Sequence, residues 1–309
     1  MKNWKVYAGL GILAGSMLTA GSVCAEETAA EAEIQAEEET VVNPYEMISG
    51  EDYELDLNGD GITETVRYET AEAQIPTTVE EHGFEGEWTV ADLSVYVNGE
   101  LAGEIQEEEW SYLWDLWQCP LESGQPYLYA VSRGDNDWPV SARLLSMEDG
   151  EMTEVAELTE IARETETGDG KFLSGWARMN QITGVGENTI QVNCCDALLA
   201  SGNTEFTMEF EITEEGVLQK DGPCSLDAEK EWTTLTDISV ATEPGSTEEA
   251  FVAAKGEILH LTAITKADGV YYLQCENQNG DTGWIRNPEQ MPVHEDGTYS
   301  YFAESIFAG

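Results

Sequence analysis

Apolar and polar positions alternate through most of the chain. In "DLSVYVNGELAGEI" Leu93, Val95 and Val97 fall two apart, and Asn98–Gly99 follows at once. A period of two places these side chains on one face of a strand. Asn-Gly accepts the positive φ angles of a type I′ turn, so the segment predicts a hairpin. The stretches "PYLYAVSRG", "SARLLSMEDGEMTEVAEL", "NTIQVNCCDALL" and "TEFTMEFEITEEGVLQ" repeat the texture, with Asp149–Gly150 and Glu215–Gly216 between strand-like halves. Near the end, strands are predicted at 235–241, 257–264, 270–275 and 282–286, with a second hairpin turn at Asn279–Gly280. One run departs from the pattern. In "EEEWSYLWDLWQCP" Trp110, Leu113, Trp114 and Trp117 are spaced i, i+3, i+4, i+7 and Pro120 closes the run, which predicts a helix with an aromatic core stripe. The chain is therefore expected to be mainly β, with a β-rich domain over 48–222 and a smaller one over 228–309.

The N-terminus changes that picture only by adding an address. Lys2 and Lys5 precede a largely apolar run from Val6 to Leu18, and "VCA" then offers a small residue before Glu26. This is the layout of a secretory signal peptide over 1–25, cut after Ala25; lipidation at Cys24 is the rival outcome. No later apolar run is long enough to span a bilayer as a helix. Residues 26–47 open with "EETAAEAEIQAEEETVVN", which has too little apolar surface to offset ordering, and are expected to form an acidic disordered linker. The expectation is an exported protein, secreted or associated with the cell envelope.

Charge narrows the partners. Taking Lys2 and Lys5 from the 13 Lys and Arg leaves 11 against 62 Asp and Glu, a formal net charge of about −51. Such a surface repels a phosphate backbone, which excludes nucleic acid, and it attracts divalent cations. Five cysteines follow the signal: Cys119, Cys194, Cys195, Cys224 and Cys275. An odd number outside the cell requires a free thiol or an intermolecular bond. Cys194 and Cys195 read as a buried small residue beside a disulfide partner, and the pairing is open. His82, His260 and His294 are scattered and make no zinc spacing.

The candidate chemistry lies in "ELDLNGDGITETVRYE". Counting Asp56 as position 1, oxygen-bearing side chains fall at Asp56, Asn58, Asp60 and Glu64, with Gly61 at position 6 for a sharp bend and the Ile62 carbonyl as a further ligand. Calcium takes six to eight such oxygens. An EF-hand would need Glu at position 12, where Arg67 stands, and the flanks alternate like strands. The expected site is a strand–loop–strand calcium site of structural role.

This loop resembles the Asp-x-Asp-x-Asp-Gly-x-x-Asp loops of integrin-like FG-GAP and VCBS repeats, with Asn58 and Glu64 as oxygen-bearing substitutes. The resemblance covers one repeat and implies a propeller-like or sandwich-like antiparallel domain over 48–222. Residues 228–309 resemble the bacterial SH3 (SH3b) domain through "ISVATEPGS", "KGEILHLTAI", "GVYYLQC" and "GDTGWI". That implies a small SH3-like barrel with Trp284 packed inside. Ser239-Val240-Ala241 stands where the family carries Asn-x-Arg, so the resemblance carries the fold rather than the usual groove. The tail after residue 290 has no counterpart.

No G-x-S-x-G elbow, H-E-x-x-H or P-loop is present. The preferred function is a non-catalytic exported bacterial protein with structural calcium. Its partner would be a cell-wall peptide or glycan, or an extracellular protein. The alternative is a secreted hydrolase, or an accessory subunit of one, using paired carboxylates. A lineage-specific structural protein with no small ligand is the third possibility.

Overall fold

The computed structural model describes residues 43–306 apart from 80–83, 108–109, 125, 135–138, 149, 164–170, 175–176, 227–228, 291–292 and 294–299. The expected signal peptide with Cys24 and Ala25, the expected linker up to residue 42, His82 and His294 lie outside the described residues. A short β1 (Glu46–Met47) is followed by a four-stranded antiparallel meander, β2 (Tyr53–Leu55), β3 (Glu64–Val79), β4 (Phe84–Val97) and β5 (Glu100–Gln106). A second sheet, ordered β1-β6-β7-β8-β9, comprises β6 (Leu113–Pro120), β7 (Pro126–Arg133), β8 (Pro139–Glu148) and β9 (Glu151–Glu157) beside β1. A five-residue helix, α1 (Leu158–Ala162), leads out of it.

The third sheet has eleven strands. It begins with β10 (Arg178–Val185), β11 (Thr189–Leu198), β12 (Gly202–Thr213) and β13 (Gly216–Gln219), again an antiparallel meander. It continues through β14 (Cys224–Ser225), β15 (Glu231–Thr233), β16 (Ile238–Ala241), β17 (Glu249–Ala253), β18 (Ile258–Ala267), β19 (Val270–Asn277) and β20 (Thr282–Arg286). β14 pairs with β12 on one side and β18 on the other, so hydrogen bonds run unbroken from the middle region into the C-terminal one. None of the three sheets closes into a barrel. Among the described residues no helix is long and apolar enough to cross a membrane.

Local chemistry fixes the turns. Asn98 (φ 51°) and Gly99 (φ 81°) are both left-handed, the type I′ geometry expected of Asn-Gly between β4 and β5. Asp268 and Gly269 do the same between β18 and β19. The Asn279–Gly280 hairpin forms with a longer loop, in which only Gly280 takes a positive φ.

The predicted helix at 107–120 is not formed; Leu113–Pro120 is strand β6. Its Trp114 and Leu116 join a core with the first meander (Tyr68, Leu93, Val95), while Trp117 and Cys119 face a larger core shared with the third sheet. β6 is thus covered on both faces. A doubly buried strand loses its polar alternation, and its apolar run then mimics a helical stripe.

In the C-terminal region the expected strands are present, and β15 and β17 are additions. Trp284 is half-buried, whereas its neighbours Gly283 and Ile285 are buried. A Cβ on Gly283 would lie 2.6 Å from Val240 Cγ1 and 2.7 Å from the Ala241 carbonyl, so the glycine of "GW" sets the close approach of β20 to β16. The unassigned tail is a strap. Phe302 bridges Thr234, Tyr301 N donates to the Ala200 carbonyl, and Asn203 N donates to the Ile306 carbonyl.

Candidate metal centre

The loop Asp56–Thr63 is held by the β2–β3 ladder, whose last pair is Leu55 opposite Glu64. Gly59 (φ 72°) and Gly61 (φ 84°) supply the two left-handed residues that turn the chain. Side-chain oxygens then hold the loop from within. Asp60 N donates to both Asp56 Oδ1 (3.1 Å) and Asn58 Oδ1 (2.9 Å), which brings those two oxygens around one amide. Gly61 N donates to Asp56 Oδ2 (2.8 Å) and Ile62 N to Asp60 Oδ1 (2.8 Å). Glu64 closes the loop by accepting from Leu57 N at 2.9 Å.

The structure therefore draws Asp56, Asn58, Asp60 and Glu64 into one hydrogen-bonded turn, while the Ile62 side chain points to solvent at 68% exposure. Among the described residues no Lys or Arg pairs with the three carboxylates, and no three Asp, Glu, His or Cys side chains converge as a ready-made metal cage. The donor set suits a hard cation in composition: three carboxylates and an amide within nine residues, without a protein counter-charge. Those residues would be its ligands. Their present amide contacts hold the backbone bent around one region.

Leu57 was not singled out by the sequence pattern, yet it is 7% exposed and anchors the loop in the smaller core. On the loop's outer side lies a groove of about 590 Å³ between Asn58–Gly59, the β6–β7 turn at Ser123–Gly124, and Met147–Glu148 at the end of β8. A Cβ on Gly59 would meet the Gly124 carbonyl at 3.2 Å, so the loop tip rests on that turn. The Ser-Gly step in "LESGQP" is legible as a turn, but nothing in the sequence sets it against a loop 65 residues away.

The chain matches no known protein family, no curated protein and no solved structure. Function therefore rests on the site itself.

Catalytic groups were sought among the buried carboxylates. Glu107 accepts from Ser132 Oγ (2.7 Å) and Ser141 Oγ (2.6 Å). Asp196 accepts from Ser174 N and Oγ, Ala197 N and the Tyr271 hydroxyl. Both are tied up in protein hydrogen bonds, and neither lines the groove beside the loop. His260 sits on β18 between the buried Leu259 and Leu261, half-exposed on the outer face as its alternation predicts.

All five cysteines are free thiols, so the disulfide partner expected at Cys194–Cys195 is absent. Burial pushes the thiols of Cys224 and Cys275 up to about 12, and Cys195 to about 11 with help from Glu205. At pH 8 a disulfide-type thiol reagent is expected to leave the native chain almost unlabelled and to titrate five thiols of residues 26–309 in urea. Rapid native labelling of Cys119 or Cys194 would contradict their burial. Because these thiols ionise near 9 once unfolded, their contribution to stability is complete below pH 9 and falls as pH rises toward 12. The urea midpoint should accordingly drop between pH 8.5 and pH 10.5.

Proposed function

We propose that this chain is a non-catalytic exported binding protein in which calcium clamps the β2–β3 loop and the adjoining groove takes a cell-envelope ligand, a wall peptide or glycan. The observation that carries the reading is the seating of Gly59 on Gly124. The loop that would bind the ion is also one wall of the groove, so ordering the loop orders the ligand site. Three successive four-stranded antiparallel meanders, the first carrying the loop between its opening strands, support the likeness to FG-GAP and VCBS repeats. The order β18-β19-β20-β16-β17 of short strands supports an SH3-like arrangement of the C-terminal region. Within this reading calcium is structural: it neutralises carboxylate repulsion, and the protein's own amides keep the loop in register.

Extracellular calcium modules bind at roughly 10⁻⁴ to 10⁻³ M. Free calcium about twentyfold above the dissociation constant stabilises the native state by about 1.8 kcal/mol. For a chain of this size that raises Tm by about 3 °C. Asp60→Ala is expected to abolish this rise and to weaken co-sedimentation with peptidoglycan as EDTA does for the native chain. Equal Tm with and without calcium would remove the metal from the proposal. Binding to peptidoglycan that ignores both EDTA and Asp60→Ala would move the ligand site elsewhere. If the chain fails to sediment with peptidoglycan at all, the wall ligand is wrong.

A further inference from the structure

A second groove, of about 380 Å³, lies where β12, the C-terminal strands and the tail strap meet. It shares no residue with the groove beside the β2–β3 loop. Leu261 of β18, 1% exposed, and Leu226 give it apolar walls. The strap adds Ile306, which is 68% exposed and is fixed there because Asn203 N donates to its carbonyl. Asn203 and Glu205 stand two apart on β12, so they share its outer face, and both line the groove.

The remaining wall is Trp232 with Lys230. Trp232 is 5% exposed, and Phe302 packs edge-on against its ring, which holds the indole in place. Lys230 Nζ lies 3.9 Å from the ring centroid, a cation–π contact. Among the described residues no carboxylate pairs with Lys230, in a chain of 62 Asp and Glu against 13 Lys and Arg. The Trp232 indole N–H makes no hydrogen bond to another described residue, and unlike that of Trp117 it is not sealed from solvent. Trp114 shows the usual arrangement, its Nε1 donating to the Ala91 carbonyl at 2.7 Å. The groove wall thus carries an ammonium and an N–H donor that the protein leaves unmatched. That pair suits a carboxylate.

We propose that this groove binds an apolar α-amino acid, free or as the C-terminal residue of a peptide. The ligand carboxylate accepts from Lys230 Nζ and Trp232 Nε1. Its ammonium or amide N–H donates to Glu205, and its side chain lies against Leu226, Leu261 and Ile306. The volume is at the small end for ligand sites and suits one residue. The calcium reading has no part in this site or in its test.

The test follows the indole N–H resonances of ¹⁵N-labelled residues 26–309 during titration with leucine, N-acetyl-leucine and leucinamide. Trp232→Phe assigns the Trp232 signal; should that variant melt early, the signal moved by Lys230→Gln identifies the ring. Leucine or N-acetyl-leucine is expected to shift this signal saturably, and leucinamide, which lacks the carboxylate, to leave it in place. Lys230→Gln should weaken binding by about fivefold, the upper range for an exposed charge pair. Glu205→Gln should weaken leucine by about threefold and spare N-acetyl-leucine, because only the free amino acid carries an ammonium. Tighter binding of leucine identifies the free amino acid as the ligand, and tighter binding of N-acetyl-leucine identifies a peptide C-terminus. An equal response to leucinamide overturns the proposal, as does affinity indifferent to Lys230→Gln. A Trp232 signal that none of the three moves at millimolar concentration overturns it too.

Discussion

Phe302→Ala is expected to cost about 3 to 5 kcal/mol, a large part of the 5 to 15 kcal/mol that holds a typical domain together. Phe302 is 1% exposed and stacks edge-on against Trp232 with ring centroids 5.4 Å apart. Its backbone is fixed on both sides: Leu235 N donates to the Tyr301 carbonyl and Ala303 N to the Thr233 carbonyl. The strap therefore cannot slide to fill the space a truncated ring would leave. The far end of the strap lies flat on Gly202, where a Cβ would stand 2.3 Å from the Ile306 carbonyl at a φ of +77°. Gly202→Ala should loosen that end with a smaller loss, about 1 to 2 kcal/mol for the left-handed backbone alone. Urea denaturation of the full chain measures both. A midpoint for Phe302→Ala within error of the native chain would show that the tail is not part of the core.

Glu107→Ala is the second large effect, about 3 kcal/mol or more. The Glu107 side chain is 5% exposed and accepts hydrogen bonds from the hydroxyls of Ser132 and Ser141, which also lie 2.9 Å from one another. Arg143 reaches it at 3.7 Å. Removing the carboxylate leaves two buried hydroxyls and a largely buried guanidinium without that partner, and unsatisfied buried groups carry the full desolvation penalty. Glu107→Gln keeps an acceptor and the shape, so about 1 kcal/mol is expected. The ordering of the two variants is the readout. If Gln is as damaging as Ala, charge pairing with Arg143 outweighs the serine hydrogen bonds. If both are neutral, the cluster has no role in stability.

Much of this architecture is local in origin and was readable as such. The alternation of Leu93, Val95 and Val97 and the Asn98–Gly99 turn specify β4 and β5 without help from the rest of the chain, because side-chain period and φ preference act within a few residues. The same holds for the acidic β2–β3 loop: Asp56, Asn58, Asp60 and Glu64 are close in sequence, and Gly59 and Gly61 bend the chain so that their oxygens meet neighbouring amides. The acidic balance also needs no coordinates.

Other features exist only because distant segments meet. β6 reads as a helix until sheets cover both its faces, since an apolar run carries no period that distinguishes the two. Trp284 looks like the core residue of "GDTGWI", but contact with Val240 gives that place to Gly283 and Ile285. The groove beside the loop requires Gly124 under Gly59. Sequence by itself determined most of the strands, the tight turns, the charge and the acidic loop, all consequences of neighbouring residues. Tertiary structure alone decided which strand is central and which residue is buried, because those depend on what packs against each face.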